Sequence, residues 1–168
     1  MVHPGREPDL QLTMLSQPRL LTAARAMVNN LAQRLGFSEI HAGQLSLAVD
    51  EALCNVINHG YDRRPDGQIE IRVWAVEEES PYLAIVIEDR AVQVDPATIR
   101  SRDLDDIRPG GLGVYIMKEI MDEVVYEHRE GGGMRLSMRK SIPDGTSCVT
   151  TDESPDGVSP VEPGRGRE

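Results

Sequence analysis

The chain has 168 residues, 39% of them hydrophobic and only 4% aromatic, and carries a formal net charge of -10 at pH 7. That length suits one domain, since a core of this size buries roughly two-thirds of the surface an unfolded chain exposes, and Leu, Ile, Val, Ala and Met must build it. The acidic balance excludes non-specific attraction to nucleic acid or to an anionic membrane, because the long-range field repels phosphate; a phosphate site here has to be local, made from backbone N–H groups and a metal.

Residues 1–9 read as a flexible N-terminus. They carry Pro4, Glu7 and Pro8 where a secretory signal needs an apolar run, and no stretch of the chain approaches the roughly 20 apolar residues of a membrane span. Cys54 falls in a predicted helix and Cys148 in a polar tail, so they form no disulfide framework. The expected location is the cytoplasm. Leu10 to Leu15 is a short strand. From Pro18 to Leu35 the residues Leu20, Ala24, Met27, Leu31 and Leu35 recur at helical spacing, with Pro18 in the first turn and Gly36 at the end. Ser38 caps a second predicted helix that runs to His59 and stops at Gly60, its apolar side carrying Leu45, Val49, Ala52 and Val56.

Two strands follow. In Ile69 to Val76, Ile69, Ile71, Val73 and Ala75 alternate against Glu70, Arg72 and Trp74, whereas Leu83 to Ile87 is continuously apolar, as in a central strand. Arg90 to Gly111 has charges, prolines and no period; a loop of that length in a small domain is usually functional or mobile. A third helix is predicted from Leu112 to about Met121, then a hairpin of Glu123 to Arg129 and Met134 to Lys140 around three glycines. The order favours an α+β fold, a two-layer sandwich of a mixed β-sheet with helices on one face. The folded domain is expected over residues 10–140. Residues 141–168 turn to Pro, Gly, Ser, Thr and acids, with too little apolar surface to offset the entropy of ordering, and read as a disordered tail.

Three local patterns could carry chemistry. Glu51, Asn55 and His59 recur every four residues and so share one side of the second helix. Nucleotide-bound magnesium would give a carboxylate and a carboxamide there a purpose, since it takes oxygen ligands and keeps waters that an acid can orient; a solvated polar face fits the same spacing. Gly110, Gly111 and Gly113 bracket Leu112 just before an apolar helical run, where free N–H groups and the helix dipole attract anions, although a flexible connection would also use glycine. No Walker Lys-Ser/Thr follows, and no strand precedes as a Rossmann fingerprint needs. Asp89 closes the apolar strand, placed to accept a hydrogen bond from an exocyclic amine or to start a turn. His41, Trp74 and Met134 are assigned to structure or surface.

In this order, EALCNVINHGY from Glu51, an Asp after a strand, a long connection and GGLGVYIMKEIMDEVVY from Gly110 resemble the GHKL ATPase superfamily, whose Bergerat fold is shared by gyrase B, MutL and histidine kinases. Within it the chain is most similar to the small anti-sigma-factor serine/threonine kinases, over roughly Leu10 to Lys140. The resemblance implies ATP and Mg2+ as cofactors. Glu51 would be the general base, Asn55 the magnesium ligand and Asp89 the acceptor for the adenine amine. Ala91 would lie beside the adenine, Gly111, Leu112 and Gly113 would offer their backbone to phosphate, and Arg90 to Gly110 would be the ATP lid. It also implies a STAS-domain antagonist as phospho-acceptor and a sigma factor as second partner, allows a homodimer that uses the first helix near Arg19 and Arg25, and involves neither nucleic acid nor membrane. The chain departs from the family at Ala91 and Gln93, where the family carries Asp-x-Gly and often a second Gly. A methyl at Ala91 either fits or narrows the adenine pocket, so the competing expectation is a non-catalytic anti-sigma or switch module that works by contact alone. A fragment of a histidine kinase or of a phosphatase regulator is a third reading.

Overall fold

Alternating and helical apolar spacings decide which faces meet in the computed structural model, which describes residues 5–77, 80–99 and 112–142. Strand β1 (Leu10–Leu15) leads through a 3-10 turn at Pro18–Leu20 into helix α1 (Leu21–Arg34). Pro18 suits that first turn because its fixed φ is already helical and its missing N–H would have had no partner there. Ala24, Val28 and Ala32 form the buried side of α1, with Met27 and Leu31 packed at its border. Helix α2 (Glu39–Asn55) is capped by Ser38, whose hydroxyl accepts the His41 N–H at 3.2 Å. Leu45, Val49, Ala52 and Leu53 bury its inner side.

The last turn of this element differs from the expected α-helix ending at His59. Val56–Gly60 widens into a π turn, closed by the Tyr61 N–H on the Val56 carbonyl at 2.9 Å. Such turns add a residue to the helical circuit and concentrate at functional sites.

Strands β2 (Gln68–Val76), β3 (Tyr82–Asp89), β4 (Glu123–His128) and β5 (Met134–Ser141), with α3 (Leu112–Ile120) between β3 and β4, complete the fold. The sheet order is β1-β2-β3-β5-β4. Every pairing is antiparallel, which corrects the mixed sheet inferred from element order. The parity of chain passes explains it: two helices between β1 and β2 return the chain reversed. One helix between β3 and β4 leaves those two strands pointing the same way, but β5 turns back from β4 and inserts between them, so no parallel pair shares hydrogen bonds.

Helices cover one face, as expected. Ile69, Ile71 and Val73 of β2, Leu83, Ile85 and Ile87 of β3, and Leu136 and Met138 of β5 are buried against them; each such side chain contributes about 1.5–3 kcal/mol by leaving water. The other face has a smaller cluster of Trp74, Val76, Ala84 and Val86 with Tyr82 at its edge, and the Arg139 guanidinium lies 4.1 Å from the Tyr82 ring centre.

Part of the N-terminal segment expected to be flexible is held against the sheet. Since β1 pairs only as far as Val73, the end of β2 leaves backbone groups open, and Asp9 takes them: its N–H donates to the Val73 carbonyl at 2.9 Å and its carboxylate accepts the Ala75 N–H at 2.8 Å. The Trp74 indole donates to the Arg6 carbonyl at 2.8 Å. The tail expected over 141–168 lies outside the described residues from 143 onward, and Cys148 with it. Among the described residues no helix is long and apolar enough to cross a membrane.

Candidate functional site

A cavity of about 400 Å3 opens between the end of α2, the end of β3 and the β4–β5 hairpin, within the size range of small-ligand pockets. Asn55, His59 and Gly60 line it from α2 and its π turn, and Ile87 and Asp89 from β3. Val92, Val94, Thr98 and Ile99 close one side, and Val114, Tyr126, Met134 and Leu136 the rest. The predicted Asn55 and Asp89 therefore face one hollow, with apolar side chains around them.

Asp89 is only 5% exposed. One carboxylate oxygen, Oδ1, accepts the N–H groups of Ala91 at 2.8 Å and Met134 at 3.2 Å, which fixes the group and leaves Oδ2 for a ligand. Burial pushes its carboxyl above the usual range, against the pull of those two N–H bonds. The backbone around it is pinned from two directions. The Tyr61 hydroxyl donates to the Gln68 carbonyl at 2.5 Å and accepts the Arg90 N–H at 2.9 Å. On the other side Gly133, at φ +88°, brings the hairpin so close that a Cβ there would overlap the Asp89 carbonyl.

Ala91, the departure from Asp-x-Gly, is not among the residues lining the cavity. A Cβ built on Gly60 would lie 3.1 Å from the Ala91 methyl, so the bare Gly60 backbone gives that methyl its room. The extra carbon is accommodated beside the π turn.

Glu51 is half-buried and sits one turn before Asn55, outside the cavity lining. Its carboxylate lies against the start of α3: a Cβ on Gly113 would be 2.5 Å from Glu51 Oε2. Gly113 is thus brought to Glu51, whereas Leu112 is 56% exposed. Gly111 lies outside the described residues, as does the expected lid beyond Ile99.

Among the lining residues that sequence reasoning did not assign to the site are Met134 and Tyr126. Met134, assigned to structure or surface, donates its backbone N–H to Asp89 and lines the cavity. Tyr126 lines it from β4, and burial pushes its phenol up to about 12 while a hydrogen bond with Asn55 pulls the other way. A phenol that stays neutral can hold the Asn55 carboxamide at any working pH. The available signal was the β4 alternation, which puts Val124 and Tyr126 on the helix-facing side, where a buried Tyr needs a polar partner.

The donor set suits magnesium. Among the described residues no three His, Cys, Asp or Glu side chains gather as a metal cage, and magnesium does not ask for one: it keeps waters and takes one or two protein oxygens beside substrate phosphates. Asn55, which lines the cavity and carries a carboxamide oxygen, with a carboxylate one helical turn away, meets that requirement.

Comparison with known proteins gives a consistent picture. The profile of the histidine kinase-like ATPase domain matches residues 14–140. Serine-protein kinase RsbW of Oceanobacillus iheyensis is 27% identical over 136 residues, covering 76% of this chain and 84% of that protein. Serine-protein kinase RsbW of Bacillus subtilis is 28% identical over 131 residues, covering 73% and 79%. Among solved structures, the RsbU and RsbW domains of a Mycobacterium tuberculosis protein superpose with a TM-score of 0.54 at 17% identity over 80% of this chain, which spans only 32% of that longer one. This last likeness speaks to the fold alone.

Proposed function

The chain belongs to the histidine kinase-like ATPase domain family, and from that premise we propose that it is an ATP-dependent serine/threonine protein kinase and anti-sigma factor of a bacterial partner-switching system. The observation that carries this reading is the convergence of Asn55 and Asp89 on one cavity of about 400 Å3, with Glu51 against the glycine start of α3.

In this reading each residue has a role that suits its chemistry. The free Asp89 oxygen accepts the adenine amine, while Ile87, Leu136 and Met134 flank the ring with apolar surface. Backbone N–H groups at Leu112 and Gly113 face the phosphates, where the helix dipole favours negative charge. Asn55 supplies an oxygen to Mg2+, and Tyr126 holds that carboxamide in place. When bound, the magnesium neutralises charge that develops on the phosphates. Glu51 takes the proton from the attacking Ser or Thr hydroxyl. The bond from that hydroxyl oxygen to the γ-phosphorus forms as the bond to the β–γ bridging oxygen breaks, and ADP leaves. Phosphoryl transfer of this kind is mostly positioning and electrostatics.

The acceptor is a Ser or Thr on a STAS-domain antagonist, and a sigma factor is the alternative partner. A phosphate placed in the antagonist's contact surface opposes binding by repulsion and desolvation, returning the kinase to its other partner. Incubation with labelled ATP, Mg2+ and a STAS-domain protein of the same organism tests the reading. Transfer should fall by at least about a hundredfold in Asn55→Ala and Glu51→Ala; equal labelling in all three proteins would remove both residues from the mechanism. A contact-only module, suggested by Ala91 and Gln93, is not favoured, because neither residue is among those lining the cavity. Calorimetric titration with Mg-ATP decides it: absence of heat at millimolar nucleotide would restore that module.

A further inference from the structure

The side chain of Gln93 is engaged. Its Nε2 donates to the carbonyls of Arg129 at 3.1 Å and Gly133 at 3.2 Å. Both acceptors are carbonyls, so only the amide nitrogen can serve them. They are also the carbonyls that close the β4–β5 turn, where Gly133 accepts the Arg129 N–H at 3.0 Å and Arg129 accepts the Gly132 N–H at 3.2 Å. A second tie lies next to it: the His128 ring nitrogen Nε2 donates to the Val94 carbonyl at 3.0 Å. Farther along, Asp95 closes the short turn Pro96–Thr98 by accepting the Ala97 N–H at 2.9 Å.

Val92 is 72% exposed and Val94 45%, yet both line the cavity. Two valines held open to water on one side of a hollow gain only when a ligand covers them. Among the described residues, a glycine at position 93 would leave their backbone with the His128 tie alone.

We propose that Gln93 is a positioning residue: it brackets the segment after β3 to the β4–β5 hairpin and holds Val92 and Val94 as a preformed apolar wall of the nucleotide cavity. The proposal rests on the nucleotide reading of that cavity. Because the wall is in place before nucleotide arrives, less ordering entropy opposes binding, which is how preorganisation raises affinity.

Gln93→Glu tests it at constant shape, since a carboxylate faces the same two carbonyls without a donor; Gln93→Ala removes the bracket outright. Both should melt within about 2 °C of the unsubstituted protein, because the side chain is exposed and outside the core. In nucleotide-free protein, amide exchange at Arg129 and Gly132, whose N–H groups close the turn that the Gln93 side chain ties, should quicken about five- to tenfold in both variants, the loss expected for one or two hydrogen bonds, while β3 and the middle of β5 exchange as before. Mg-ATP Kd and the KM for ATP should rise by about the same factor, with kcat unchanged. Unaltered exchange would overturn the bracket, and faster exchange with an unaltered Kd would overturn its role in binding. If the unsubstituted protein takes up no Mg-ATP, the kinase reading fails, and the exchange measurement still decides separately whether the bracket exists.

Discussion

At Asp89, folding and the proposed adenine contact make opposite demands. Burial raises its carboxyl pKa, so the ionised form is disfavoured in the fold, and stability falls as pH rises through the unfolded value toward the folded one. Asp89→Asn removes that burden and keeps an oxygen for the Ala91 and Met134 N–H groups. The variant should melt no lower than the unsubstituted protein at pH 7, yet bind Mg-ATP at least about tenfold more weakly, because an amide nitrogen now faces the adenine amine. Paired thermal and calorimetric measurements check both halves, and a loss of stability would show that the acid is structural. Gly113 poses the converse case. Alanine is the better helix former by about 1 kcal/mol, but the Cβ would press on Glu51 Oε2. Gly113→Ala should therefore slow phosphoryl transfer by more than about tenfold with little change in melting temperature, read in the same labelling assay. Where these residues lie was legible because the signals are local: a four-residue spacing for Glu51 and Asn55, an acid ending an apolar run, and a glycine opening a helix. Met134 and Tyr126 reach the cavity through the register of β5 and β4, which pairs Tyr126 with Leu136 and His128 with Met134. No neighbouring residue announces that.

Among the elements, helices and strands followed from periodicity to within a few residues, since burying an apolar stripe or an alternating face is a local decision. Two features were not local. The sheet is antiparallel because β5 inserts between β3 and β4, a choice made by long-range packing. The π turn at Val56–Gly60 accompanies the contact between Gly60 and Ala91, residues joined only in the fold. The hairpin between β4 and β5 shows how an element serves the site. Its three glycines, at φ +83°, +104° and +88°, read in sequence as an ordinary turn, but Gly133 also packs against the Asp89 carbonyl. Gly133→Ala combines a disfavoured φ with a backbone overlap and should destabilise by about 2–4 kcal/mol, lowering the urea midpoint at unchanged slope. Gly131, whose added Cβ would meet nothing within 4 Å, serves as the control: Gly131→Ala should incur only the φ penalty of roughly 1 kcal/mol. Equal effects at both positions would mean that contact with Asp89 plays no part.

For the whole molecule, the -10 charge sets a background against which one buried cluster matters. Glu88 is 6% exposed on the outer face of the sheet and meets Arg135 at 2.5 Å, Arg72 at 2.7 Å and Arg129 at 3.2 Å. Burial raises its carboxyl, but the Arg135 hydrogen bond and the surrounding guanidinium charge outweigh it, so the group lies below the ordinary carboxylate range. A lowered pKa gives stability that is present above the unfolded value of 4.5 and is lost as pH falls through the folded one. Asp122, held by Lys140 and Ser141 against its own burial, acts in the same direction; Asp89 acts in the opposite one. From pH 8 toward 5 the chain sheds some of its self-repulsion with few carboxylates affected, so the melting temperature should stay level or rise slightly. Below about pH 4.5 it should fall as the Glu88 cluster comes apart. Glu88→Gln leaves three guanidinium groups around a neutral amide and should cost about 2–3 kcal/mol at pH 7, with a correspondingly shallower acid limb. A denaturation series across pH separates these contributions: if the variant loses stability at pH 7 but its acid limb keeps the original steepness, the acid transition belongs to other carboxylates and the Glu88 cluster acts through packing alone.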